Sequence, residues 1–156
     1  LVHPAVQCDV CQALEHAAAR GVRVRLLLQG RSEYPMQHRA TRFMYGKLLD
    51  DGIEIYEYQP SYLHAKVAVI DARATVGSSN LDPFSLLLAR EANVFVDNAD
   101  FAARLNAALA VVMQNDARRV TDTFLQKLSR FDRWVDAASY LLLRIAVALT
   151  GKSSMY

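Results

Sequence analysis

The sequence predicts an α/β fold, a mixed β-sheet flanked by helices. Three observations carry this. Apolar residues recur at helical spacing in some stretches and alternate in others. Those stretches follow one another as helix, strand, helix, several strands and helix. The chain of 156 residues is 53% hydrophobic and 22% charged, the balance of one globular domain with a sizeable core.

The elements follow in order. "VCQALEHAAARG" reads as a short amphipathic helix that Gly21 closes. "VRVRLLLQG" alternates and then turns wholly apolar, as a strand does on entering the middle of a sheet. "MQHRATRFMYGKLLDDG" has helical spacing at Phe43, Leu48 and Leu49, and Gly52 stops it. "IEIYEYQ" alternates as a strand. "LHAKVAVID" and "ATVGSS" follow as two more joined by a short turn, and "REANVFVD" as another. "NADFAARLNAALAVVMQND" opens on Asn98 or Asp100 as a cap and continues as a long amphipathic helix.

The last stretch differs in composition. Lys127, Arg130 and Arg133 precede Trp134 and an apolar run from Ala137 to Thr150. That run has 14 residues and contains Arg144, too short and too interrupted to span a bilayer. A basic, Trp-flanked amphipathic helix suits a membrane interface; the alternative is a helix packed on the core. The predicted division is therefore a catalytic domain over 1–120 and a basic, apolar helical tail over 121–156. The formal charge of +2 is too small to argue by itself for nucleic acid. Cys8 and Cys11 form a C-x-x-C pair, with His3 and His16 nearby, but the stretch reads more simply as the start of the first helix. The chain begins "LVHPAVQCDV", without Met or a signal-like segment, and is expected to be the C-terminal part of something longer.

The chemistry concentrates in "LHAKVAVIDARATVGSSNLD", Leu63 to Asp82. In a strand, His64 and Lys66 share a face, and Ala65, Val67 and Val69 form the other. Ser78 and Asn80, also two apart, extend from the adjoining strand end. An imidazole, an ammonium, a hydroxyl and a carboxamide are thus expected to converge on one patch. Three of them can donate to phosphate oxygens, and the imidazole can attack phosphorus. The lysine would offer positive charge where it is needed in the transition state. No carboxylates stand at metal-ligand spacing, so neither a metal nor another cofactor is expected. A second positioned acid must protonate the leaving oxygen.

"HAKVAVID" followed by "GSSN" resembles the HxKxxxxD…GSxN signature of the phospholipase D superfamily, and "GSSNLDPFSLLLAREANVFV" further resembles bacterial cardiolipin synthases. The similarity extends from about Gly21 through Arg119. It implies a phospholipase D-like half-domain. His64 then resembles the nucleophile or the acid of a histidine pair. Lys66, Ser78 and Asn80 resemble the phosphate-binding set, and Glu91 fits the acidic residue that orients the histidine. A carboxylate on one ring nitrogen fixes the tautomer and makes the other a better nucleophile. Asp71 completes the catalytic signature of His64, Lys66, Asp71 and Glu91, although its place past the strand end suits a turn.

The chain departs from the family twice. Five residues, Ala72 to Val76, separate the Asp from the Gly, where the family usually has six. A tighter turn is the expected consequence, because a slip within the strand would flip side chains to the wrong face. The family also builds one site from two copies of the motif, and this sequence carries one. The resemblance therefore implies a phosphatidyltransferase of cardiolipin-synthase type, working through a phosphohistidine at the cytoplasmic side of a bacterial membrane. Its expected partners are a phospholipid substrate, the membrane surface and a second motif-bearing half. The alternative is a homodimeric phosphodiesterase or nuclease; nucleic acid is not the expected partner. A non-catalytic docking module is the third reading.

Overall fold

A computed structural model of the chain describes residues 9–78 and 92–153. Helix α1 (Asp9–Ala19) ends at Gly21, whose φ of +84° is the left-handed conformation that favours glycine. Strand β1 (Arg25–Gln29) leads to the successive helices α2 (Pro35–Phe43) and α3 (Tyr45–Asp50). Gly52, φ +81°, closes the second of these before β2 (Glu54–Tyr58). A hairpin follows, β3 (Val67–Ile70) and β4 (Arg73–Gly77), and then β5 (Asn93–Asp97). Helix α4 (Ala99–Asn115) is capped by Asn98, whose Oδ1 accepts from the Phe101 N–H at 2.9 Å. The chain continues through β6 (Ala117–Val120), α5 (Asp122–Gln126) and α6 (Arg130–Ser153).

The described strands form two three-stranded sheets. In β1-β2-β6 the first pair is parallel and the second antiparallel; β3-β4-β5 is antiparallel throughout. The α/β class with mixed pairing is as predicted, but the strands are divided between two sheets. The sequence reading also missed β6. Its residues, "ARRV", carry no apolar alternation and are held as a strand by pairing with Ile55 to Tyr58.

Alternation along β2 decides what each face meets. Ile55 and Glu57 are buried, and Ile55 joins Val24, Tyr45, Leu48, Ile53 and Val120 in the principal core. Leu14, Ala17 and Ala18 of α1 and Phe124 and Leu125 of α5 pack against that core, so the segment after residue 120 contributes to the body. On the other face Arg25 of β1 donates to Asn106 of α4 at 2.8 Å. The same helix also packs on the second sheet, joining the two.

Glu57 is a carboxylate with no exposed surface, accepting from Tyr45 Oη at 3.2 Å and paired with Arg118 Nη2. The Arg118 guanidinium lies 4.3 Å from the Phe124 ring centroid, which joins β2, β6, α3 and α5 through one ionic group. A second cluster fastens α6 to α2. Asp136, 3% exposed, accepts from Arg42 Nε and Nη2, both at 2.7 Å, and from Arg39 Nη1 at 3.2 Å. Phe43 stacks on Tyr140 at 4.8 Å, and Leu143 is buried against Ala40. Among the described residues no helix is long and apolar enough to cross a membrane.

Two predictions follow from these pairings. Removing one partner of a buried ion pair leaves the other uncompensated, so Asp136→Ala is expected to cost about 3 kcal/mol. Urea unfolding of the chain checks this, and a loss under about 1 kcal/mol would show that α6 is held mainly by its apolar contacts. Arg23 and the Tyr56 hydroxyl hold the Glu54 carboxyl at about 2. A depressed folded value stabilises above the unfolded value and is lost as pH falls through the folded one. The stability gap between wild type and Glu54→Gln should be about 1 kcal/mol at neutral pH, small because Arg23 is exposed. It should vanish between about pH 4.5 and 2 in unfolding curves at stepped pH.

Candidate active site

The hairpin sets the geometry of the site. Its strands pair from Ile70 with Arg73 to Val67 with Val76, leaving Asp71 and Ala72 as a two-residue turn. Asp71 takes φ 52°, a left-handed conformation that Asp tolerates better than most residues. Asp71 is therefore a turn residue at one end of the hairpin, with Lys66 at the other. The ladder is unbroken as far as the Gly77 N–H, which donates to the Lys66 carbonyl at 3.0 Å. The two-residue turn and the ladder together account for all five residues between Asp71 and Gly77.

The strand is shorter than predicted, however. β3 begins at Val67, so His64 and Lys66 stand in the segment that leads into it. Burial gives the reason. His64 and Ala65 are exposed, and alternation is held in a strand only where one face is covered. Lys66 is half-buried and its Nζ donates to the His64 carbonyl at 3.1 Å. One of its three donors thus ties the two candidate residues together.

Ser78 is placed differently from the expectation. Its Oγ accepts from the Ala92 N–H at 3.0 Å and donates to the Ala92 carbonyl at 3.4 Å, while its own N–H donates to that carbonyl at 3.0 Å. The hydroxyl therefore bridges to the neighbouring chain segment, a local bond that competes with any phosphate. Asn80 and Glu91 lie outside the described residues, as does Cys8; Cys11 is buried in α1. The structure thus brings together His64 and Lys66 and sets Ser78 just past the end of β4.

Asn93 was not singled out by the sequence reading. It pairs with Gly77 across β4-β5, and a Cβ at Gly77 would collide with the Asn93 side-chain oxygen and lie 2.7 Å from the Ala92 carbonyl. Gly77 is therefore required by the close approach of β5. The glycine of "GSSN" was the available signal, read from sequence only as part of a motif.

Behind the site, Leu63 and Ala65 face Leu27, Leu28, Gln29, Ser32, His38 and Thr41 across a cavity of about 30 Å³. It has room for a water-sized molecule and none for a lipid headgroup. Burial pushes the His38 imidazole below its ordinary value, against the opposing pull of Glu57 and Asp136. Helix α2 carries His38, Arg39 and Arg42 and follows directly on Tyr34. Tyr34 is exposed, but the two arginines are engaged with α6 and His38 is turned toward the cavity.

Comparison with known proteins places this geometry. The sequence profile described as "Cardiolipin synthase, PLD-like domain" matches residues 3–112. Cardiolipin synthase B of Escherichia coli (strain K12) is 39% identical over 140 residues, covering 89% of this chain and 34% of that protein. Cardiolipin synthase 2 of Bacillus anthracis is 32% identical over 136 residues, covering 86% and 26%. The chain thus spans about a third of the length of the first of these relatives. Among solved structures, the phospholipase D family member Nuc from Salmonella typhimurium superposes with a TM-score of 0.62 at 21% identity, over 73% of this chain and 74% of that one. That likeness supports the fold. With the profile matched across more than two thirds of its residues, the chain belongs to the PLD-like domain family of cardiolipin synthase.

Proposed function

We propose that the chain supplies one of the two motifs of a phosphatidyltransferase of cardiolipin-synthase type, acting on phospholipid at a membrane surface. The observation that carries this is the match of residues 3–112 to the cardiolipin synthase profile, with His64 exposed and tied through Lys66 to the start of the hairpin. In this reading a ring nitrogen of His64 attacks the phosphorus of a donor lipid. The bond from phosphorus to the leaving alcohol oxygen breaks, and that oxygen takes a proton from the acid of the second motif. The hydroxyl of an acceptor lipid then attacks the phosphohistidine, the N–P bond breaks, and the hydroxyl proton passes to the same acid, now acting as base. The reverse assignment, with His64 as the acid and the partner histidine as the nucleophile, balances equally.

Lys66 supplies positive charge to the phosphoryl oxygens, and Asn80 and Ser78 complete the phosphate-binding set. Ser78 must then exchange its bond to Ala92 for one to phosphate when substrate arrives. Glu91 orients the imidazole, and Asp71 serves the site by closing the turn. The second motif comes from another half of a longer protein or from a second copy of this chain. The 34% coverage of the E. coli relative fits the first source.

The test is conversion of phosphatidylglycerol vesicles by the protein that contains this chain, beside its His64→Ala variant. A fall of about a thousandfold or more is expected for the variant. Incubation with phosphorus-labelled lipid should also leave acid-labile, alkali-stable label on protein if His64 is the nucleophile. Undiminished lipid turnover in His64→Ala would overturn the proposal. So would a wild type inert toward lipid that hydrolyses bis(p-nitrophenyl) phosphate and binds DNA in a strongly salt-dependent way, which would establish the nuclease reading.

A further inference from the structure

Helix α6 shows two opposite faces that the family match does not account for, since the matched residues end at 112. At about 100° per residue, Asp132, Asp136, Ser139 and Leu143 fall on one side. That side is the one packed on α2, where the arginines of α2 take up both carboxylates. Phe131, Trp134, Leu141, Leu142 and Ile145 fall within an arc of about 100° on the other side. All five are exposed, Phe131 and Trp134 at 71% and 69%. From Phe131 to Ile145 they make an apolar strip about 21 Å long.

Charge identifies what covers the strip. Arg130, Arg133 and Arg144 are exposed and lie along one border of it, Arg133 also donating to the Leu125 carbonyl at 3.0 Å. Asp132 and Asp136 are the only acidic residues between 130 and 153, and both are on the α2 side. The outward border is therefore cationic without a compensating carboxylate. An anionic lipid surface meets every feature: headgroups for the arginines, acyl chains for the leucines and isoleucine, and the interfacial depth that Trp favours.

We infer that α6 docks the domain on an anionic bilayer through the strip Phe131–Trp134–Leu141–Leu142–Ile145, with Arg130, Arg133 and Arg144 on the headgroups and the Asp136–Arg42 pair holding the helix to the body. The inference deepens the reading of a membrane-surface enzyme and names the face that makes the contact. Binding by this face does not require His64.

Trp134 is the only tryptophan of the chain, so it reports directly on its own face. The full chain and its His64→Ala variant are titrated with vesicles of equal parts phosphatidylcholine and phosphatidylglycerol, and with vesicles of phosphatidylcholine alone. The expected result, for both proteins, is a shift of Trp134 emission to shorter wavelength with the anionic vesicles, and quenching by brominated acyl chains. Binding should weaken as salt is raised. Arg130→Gln with Arg144→Gln, two exposed positions, should weaken it roughly thirtyfold. No response to either vesicle overturns the inference. An equal response to both overturns the role of the arginines. Emission already shifted in the absence of lipid, and dependent on protein concentration, would mean that the strip pairs with another protein surface and overturns it as well. If vesicles are bound and lipid turnover is absent, the docking face stands and the phosphatidyltransfer reading fails.

Discussion

The carboxylate of Glu57 constrains most of what surrounds it. A charge with no exposed surface is tolerated only when its partners are in place, and its two partners come from separate elements, one of them covered by a third. Arg118 stands directly across the sheet from it, Tyr45 reaches it from α3, and Phe124 covers the guanidinium from α5. Burial and the neighbouring carboxylate both push the Tyr45 hydroxyl well above its ordinary value, which keeps it a donor to Glu57 beyond the pH at which a free tyrosine ionises. The ionic group therefore specifies which strand pairs with β2 and which helices lie over that face. An apolar residue at position 57 would satisfy the core without making any of those choices.

Against that frame, the residues proposed for chemistry are notable for their exposure. Glu57, Arg118, Asp136 and Arg42 are engaged with one another or with their neighbours, and their charges are spent on holding helices and strands together. His64 is open to solvent at the edge of the second sheet, and Lys66 is only half covered. In the proposed reaction His64 meets both a lipid phosphate and a second acid, and its exposure leaves it open to both. The second sheet likewise leaves the apolar side chains of Ile70, Val76, Val94 and Phe95 exposed.

The fold class, the helix stops at Gly21 and Gly52 and the cap at Asn98 were legible because each rests on local chemistry: periodicity, positive φ and a side-chain acceptor. The signature around His64 was legible because the residue types are unusual together. What stayed hidden depends on residues far apart in the chain. Nothing in "RFDRWVD" announces that Asp136 answers Arg42, 94 positions earlier, or that the alternation in "IEIYEY" turns a glutamate inward. The strand "ARRV" exists through its partner and has no pattern of its own. The start of β3 was placed too early because sequence alternation shows that one face could be buried, and says nothing of whether anything covers it.

The hairpin also behaves as a gauge. Its turn has no slack, and every pairing from Ile70–Arg73 outward is a count from that closed end, through to the bond between Lys66 and Gly77. The loop can gain or lose a residue without disturbing the far end only if the crossing of lysine and glycine is kept. A shift of that crossing by one position would bring a side chain to the spot where β5 now comes close. The partner of Lys66 across the ladder is thus fixed by space as well as by the count from the turn. In this chain the limit on the hairpin lies at that crossing, set by the width of a backbone without a Cβ.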